Sequence, residues 1–249
     1  MHFLLTNDDG IDAPGLRAMA AAAESLGGRW TIVAPAREHS QCGHRVTTHE
    51  PLRVEPRGEH QYAVHGTPAD CVRIALFGLN VQPGMVLSGV NQGGNMGQDL
   101  AISGTVAAAR EAAYHGLPAA AVSHYIISGI PFDWPRAGAW TAQILAALQK
   151  ETLADGEFWN VNLPHLPPGA LPLPKMLAAT PARRPLNVSF SSAAEGVDTV
   201  YHYTARYAAR PQDEGSDVAA CFSGRVAVSR LGIGGTATAP VLAAHAAGE

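Results

Sequence analysis

The sequence predicts an α/β protein: a Rossmann-like three-layer core with a mostly parallel sheet, plus a strand-rich C-terminal extension. Three observations in the 249 residues carry that reading. Short, continuously apolar runs alternate with helical patterns through the first half, as expected for parallel strands covered on both faces. Each run ends in glycine, proline or a small polar residue, which is turn chemistry. Beyond about residue 160 the helical periodicity gives way to a proline-dense stretch and then to strand-like alternation. The expected organisation is one domain, with residues 1–160 as the α/β core and 161–249 as extended arms and hairpins.

The elements follow in order. "HFLL" is the first strand, ended by Thr6-Asn7-Asp8-Asp9-Gly10. Asp12 is placed to cap a helix whose first turn contains Pro14, where a missing N–H costs nothing. Leu16, Met19, Ala20, Ala23 and Leu26 repeat at helical spacing, and Gly27-Gly28 stops them. "WTIVAP" is the second strand, ended by Pro35. "MVLSGVN" is a later one, ended by Gly89 and Asn91. "SGTVAAAREAAYHG" reads as a helix from Ser103 to Gly116, "PAAAVS" as another buried strand and "ILAALQ" as part of one more helix. After "NVNLP" come Pro164, Pro167, Pro168, Pro172, Pro174, Pro181 and Pro185. Tyr201, Tyr203, Val226 and Val228 alternate like strand residues beyond them, so extended arms are preferred over a flexible linker.

Composition narrows the function classes. A formal charge of −4 gives no broad electrostatic surface for a nucleic-acid duplex. Cys42, Cys71 and Cys221 are odd in number and widely spaced, which fits a reducing cytoplasm better than a disulfide framework. The N-terminus lacks the charged and apolar regions of a signal peptide, and no stretch approaches the roughly 18 apolar residues of a membrane span.

Ligands of open α/β sheets bind beyond the carboxyl ends of the strands. This sequence places there Asn7, Asp8 and Asp9, then Glu38, His39 and Ser40, then Asn91, Gly93, Gly94 and Asn95, and finally Ser103, Gly104 and Thr105. Two adjacent carboxylates repel, and a divalent cation relieves that repulsion. Hard oxygen donors favour Mg²⁺ or Mn²⁺ over zinc. The glycine at the start of the "SGTV" helix lets backbone amides approach an anion. A cation and an anion cradle on one rim point to phosphoryl chemistry. Each piece alone has a plain structural reading: a solvated turn for Asp8-Asp9, a helix cap for Ser103, a tight loop for "GVNQGGNMG". No GxGxxG, P-loop, HExxH or GxSxG pattern occurs.

The motifs "LLTNDDGIDAPG", "VAP", "HGTPADCV", "LSGVNQGGNMG", "SGTVAAAREAAYHGLPA" and "NVNLP" occur in the order found in the SurE family, the survival-protein nucleotidases, and the chain resembles that family closely over residues 1 to about 125. The resemblance implies a metal-dependent phosphatase acting on nucleoside 5′- and 3′-monophosphates, with short polyphosphate as a further substrate. It implies one divalent metal ion held by Asp8, Asp9, Ser40 and Asn91, and a phosphate pocket at Ser103, Gly104 and Thr105 with Asn95 nearby. Asp8 is the first choice to orient or deprotonate the attacking water, with Asn91 and Ser103 as its catalytic partners. The family also implies a homodimer or homotetramer with exchanged C-terminal arms. The aspartate that follows "VAP" in the family is Ala36 here. The rival readings are a non-catalytic nucleotide-binding protein and a phosphotransferase using the same pocket.

Overall fold

A computed structural model of the chain describes residues 1–169 and 172–233. The chain opens with β1 (His2–Thr6), α1 (Pro14–Ser25) and β2 (Arg29–Pro35). Asp12 does not cap α1: the N-cap is Ala13, with no side-chain bond, and the Asp12 carboxylate lies 3.1 Å from the Arg57 guanidinium instead. A hairpin of β3 (Val54–Gly58) and β4 (Gln61–Val64) follows, then α2 (Pro68–Arg73). The α2 start carries a full capping box: the Thr67 hydroxyl accepts from the Asp70 N–H, and the Asp70 carboxylate accepts from the Thr67 N–H.

Next come β5 (Met85–Gln92), a 3₁₀ turn at Gly97–Ala101, α3 (Gly104–Tyr114), β6 (Ala119–His124), α4 (Trp134–Leu148) and β7 (Glu157–Leu163). The rest comprises β8 (Met176–Ala178), β9 (Phe190–Glu195), β10 (Asp198–Tyr203), a 3₁₀ turn at Tyr207–Ala209, α5 (Asp217–Phe222) and β11 (Val226–Gly232).

Among the described residues nine strands form one sheet in the order β3-β4-β2-β1-β5-β6-β7-β11-β8. Six of its eight pairings are parallel; only β3 with β4 and β11 with β7 are antiparallel. The central strands are buried along nearly their whole length, which is why they read as unbroken apolar runs. Phe3 and Leu5 join Leu16, Met19, Ile144 and Leu145 on one face. Leu4 joins Val72, Val106 and Ala109 on the other. Helices α1 and α4 therefore cover one side of the sheet, and α2 and α3 the other.

The sheet does not stop at residue 160. β11 inserts antiparallel beside β7, and β8 pairs with β11. The stretch read as arms also contains α5, which packs in a third small core with Met96, Tyr125 and Ala182. Among the described strands only β9 and β10 stand apart, as a two-stranded hairpin with Phe190, Val197, Tyr201 and Tyr203 exposed. Residues 234–249 lie outside the described residues. Among the described residues no helix is long and apolar enough to cross a membrane.

One buried ion cluster ties the loop after β2 to the helices. Glu111, on α3, is 2% exposed and accepts from His44 at 2.7 Å, Arg73 at 2.6 Å and His115 at 3.0 Å. Burial pushes its carboxyl up, but the three donors outweigh burial and hold it down at about 2. Glu111 is thus a charged anchor through the neutral range, fixing one end of the loop that carries Ser40.

Candidate active site

Strand β2 runs to one side of β1 and β5 to the other, so the chain reverses its winding direction between β1 and β5. The crevice at such a switch point is where open α/β sheets hold ligands. Here it opens into a cavity of about 860 Å³ lined by Asp8, Asp9, Ser40, Asn91, Asn95 and Ser103 among others. Six of the eight residues picked from the sequence line it. Gly104 and Thr105 follow Ser103 in the first turn of α3 and do not line the cavity.

Asp8 follows β1 and is 6% exposed. Its Oδ1 accepts from the Thr105 hydroxyl at 2.6 Å. Burial pushes the Asp8 carboxyl up; the Thr105 bond opposes this, Asp9 adds to it, and the result lies at about 6. The Asp8 carbonyl accepts from the His39 N–H at 2.8 Å, which pins the second loop to the first. Asp9 accepts from the Gln92 N–H at 2.9 Å, and burial raises its carboxyl too, with Glu38 adding repulsion. Among the described residues neither Asp8 nor Asp9 makes a salt bridge to a Lys, Arg or His.

Gly104 explains why α3 starts so close to Asp8. A Cβ there would sit 2.8 Å from the Asp8 Cβ and 3.0 Å from both Asp8 Oδ2 and Cys42 Sγ. Any side chain would push the helix start off the carboxylate. Cys42 itself is half-buried, and burial and the Asp8 charge both raise its thiol. It is a neutral neighbour rather than a nucleophile.

The remaining groups divide by what they already hold. Ser103 is the N-cap of α3, its Oγ accepting from the Val106 N–H at 3.0 Å, which leaves its own proton free to be donated. The Thr105 hydroxyl is spent on Asp8, so Thr105 orients the carboxylate and does not face the cavity. Asn91 donates to the Gly93 carbonyl at 2.7 Å, fixing its amide nitrogen and leaving its oxygen as a ligand atom. Ser40 is exposed and donates to the Glu38 carboxylate.

Asn95 sits in a polar net. Its amide donates to Ser123 at 2.7 Å, its N–H donates to Asn162 Oδ1 at 2.8 Å, and its carbonyl accepts from Asn160 and Asn162 at 3.0 Å each. Both asparagines of "NVNLP" therefore exist to hold the Gly-rich loop. Their alternation on a strand marks two polar side chains on one buried face, a signal the sequence carried without naming their partner.

The same loop is held from the far side by residues that sequence reasoning passed over. Tyr207 and Arg210 bond to Asp99, and the Asp217 carboxylate accepts from the Gly97 N–H at 2.9 Å. Among the described residues no group of three or more His, Cys, Asp or Glu side chains is arranged to hold a metal. A cation here would rest on two carboxylates and neutral oxygens.

The family model "Survival protein SurE" matches residues 3–184. The chain belongs to the SurE family. A relative from Nostoc sp. (strain PCC 7120) is 47% identical over 93% of this chain and 99% of its own length. The protein named 5′-nucleotidase SurE from Geotalea daltonii is 38% identical over 93% of this chain and 92% of its own length. The crystal structure of the SurE protein from Aquifex aeolicus superposes with a TM-score of 0.82 at 32% identity, over 94% of each chain. The mostly parallel, doubly covered sheet is thus the SurE fold, extension included.

Proposed function

We propose that the chain is a divalent-cation-dependent phosphomonoesterase that hydrolyses nucleoside 5′- and 3′-monophosphates to nucleoside and phosphate, with short polyphosphate as a further substrate. The observation that carries this reading is the pair Asp8–Asp9, without a cationic partner among the described residues, lining a cavity beside the capped start of α3. SurE relatives named 5′-nucleotidases, at 37–38% identity over 93% of this chain, support the substrate class.

The donor set fits one hard divalent ion, Mg²⁺ or Mn²⁺, held by Asp8, Asp9, Asn91 and Ser40; Ser40 would have to turn from Glu38. Such an ion, when bound, supplies Lewis acidity to the phosphoryl group and lowers the pKa of water. The chain's own residues do the rest. Asp8 Oδ1 is held by Thr105, so Oδ2 is the atom that orients the attacking water and takes its proton. The Ser103 hydroxyl donates to a phosphoryl oxygen. One amide N–H of Asn95, only 3.5 Å from Thr105 Oγ1 and weakly engaged there, is available to another. Attack by water breaks the P–O bond to the sugar, and the nucleoside leaves as its alcohol, its oxygen taking up the proton that Asp8 received from the water. Trp134 and Tyr203 line the same cavity and supply aromatic surface for a base.

Phosphate release from AMP is the deciding assay. Chelated protein is expected to be inactive and to recover with Mn²⁺ or Mg²⁺. Recovery with Zn²⁺ alone, removed again by a histidine substitution, would overturn the oxygen-ligand site.

Three free cysteines support a reducing, cytoplasmic location. The exposed hairpin is the natural contact for a second copy, giving a homodimer or homotetramer. Cutting the chain near residue 180 would remove β11 from the sheet, so deletion of residues 190–203 is the cleaner test. Its ends already meet, since the Thr204 N–H donates to the Ser189 carbonyl at 2.9 Å. Light scattering should show an oligomer for the full chain and a monomer for the deletion. A full chain that is monomeric at tens of micromolar, roughly where standard-size interfaces are saturated, contradicts the proposal.

A further inference from the structure

We propose that Asp99, Tyr207 and Arg210 form a clamp through which the last third of the chain positions the phosphate-binding turn at Ser103. The inference rests on the reading of that turn given above and assigns these three as positioning residues.

The backbone link comes first. The Ser103 N–H donates to the Asp99 carbonyl at 3.0 Å, and the Ile102 N–H donates to the same oxygen at 3.1 Å. Where Asp99 stands, Ser103 stands. The Asp99 carboxylate is in turn held from across the cavity wall. Its Oδ2 accepts from the Tyr207 hydroxyl at 2.7 Å and from the Arg210 guanidinium at 2.5 Å. Arg210 is fully buried as a side chain, donates its other terminal nitrogen to the Met96 carbonyl at 3.1 Å, and lies over the Tyr207 ring at 4.8 Å.

These partners are more than a hundred residues away in sequence and arrive through a 3₁₀ turn, a short element with little structure of its own. Asp217 adds a parallel tie to the Gly97 N–H. Between Asn91 and Ser103 the loop has one five-residue 3₁₀ turn and two glycines at positive φ, Gly93 at +147° and Gly97 at +54°, so its shape is set largely from outside. Buried charge pairs are poor devices for stability alone, but they do fix a geometry. Here the geometry fixed is the wall between two sets of proposed site residues, Asn91 and Asn95 on one side and Ser103 on the other.

Tyr207→Phe removes the hydroxyl and keeps the ring packed beside Tyr125 and Phe222. With AMP and Mn²⁺, kcat/KM should fall between about tenfold and about a hundredfold, as expected for a small misplacement of a binding group. Inhibition by inorganic phosphate should weaken in step, while the thermal midpoint stays with that of the parent and of a Tyr62→Phe control. A merely structural role lowers the midpoint and leaves the phosphate inhibition constant unchanged. Asp99→Asn, which keeps the backbone link and loses the charge, should weaken phosphate inhibition as well. If kcat/KM and phosphate inhibition stay within about twofold in both variants, the clamp is overturned and the nucleotidase reading stands. A parent chain that neither hydrolyses AMP nor binds phosphate overturns that reading, and the clamp with it.

Discussion

Asp8→Asn is expected to lower AMP hydrolysis by at least about a thousandfold, because it removes a proposed cation ligand and the proposed proton acceptor in one step. The protein should remain folded. Asn is isosteric, and its side-chain oxygen can still accept from the Thr105 hydroxyl, which now bonds Asp8 at 2.6 Å. The sign of the stability change separates a catalytic role from a structural one. Burial raises the Asp8 carboxyl from 3.8 to about 6 in the folded chain. A raised carboxyl favours the protonated folded state, so stability falls as pH rises from about 4 through 6. At neutral pH the ionised side chain then costs about 3 kcal/mol, an upper figure for a group that is 6% exposed. In the presence of EDTA, Asp8→Asn should therefore melt no lower than the parent at pH 7.5, with the difference closing toward pH 4. Near-normal turnover at saturating Mn²⁺ would remove Asp8 from the centre of the reaction. A large loss of thermal stability with EDTA would make it a structural residue instead.

How far the site was legible follows from the range of the interactions that build it. Asp8, Asp9, Asn91 and Ser103 stand at strand ends or a helix start, and both positions announce themselves locally through an apolar run, a turn residue or a cap. The switch point then gathers them without further information. Thr105 was legible as a neighbour of the site but not in its orientation. A hydroxyl one residue beyond a glycine could face the ligand or the carboxylate, and only the packing of α3 on β1 decides. Asp99, Tyr207, Arg210 and Asp217 were not legible, because each meaning lies in a partner about a hundred residues away.

The extension shows the same limit. Alternation marked β10 and β11 as strands, yet nothing local distinguishes an exposed hairpin strand from one inserted beside β7. The cap of α1 failed for a related reason. Asp12 has the right chemistry at the right place, but Arg57 from the β3–β4 hairpin draws its carboxylate away, and Pro14 starts the helix without it.

Gly15→Ala is expected to have the largest effect on stability of any single methyl added to this chain's first helix. Gly15 lies in the first turn of α1, where alanine would ordinarily gain about 1 kcal/mol in helix propensity. The surroundings reverse that gain. A Cβ at Gly15 would stand 1.9 Å from the Val90 carbonyl oxygen and 3.1 Å from Trp134 Cζ3. The nearer obstacle is backbone and cannot rotate aside. Either α1 lifts off the sheet or Val90 moves, and Val90 precedes Asn91 in the proposed ligand set. Overpacking of this kind costs about 3 kcal/mol, which for a chain of this size lowers the thermal midpoint by roughly 6–12 °C. Activity should fall further than the folded fraction does, because the displaced strand end carries Asn91. Gly232→Ala is the matched control: a Cβ there meets nothing within 4 Å, so its midpoint should stay within about 2 °C of the parent. If Gly15→Ala melts with the control and keeps full turnover, the close approach of α1 to the end of β5 is not what holds the two halves of the site in register.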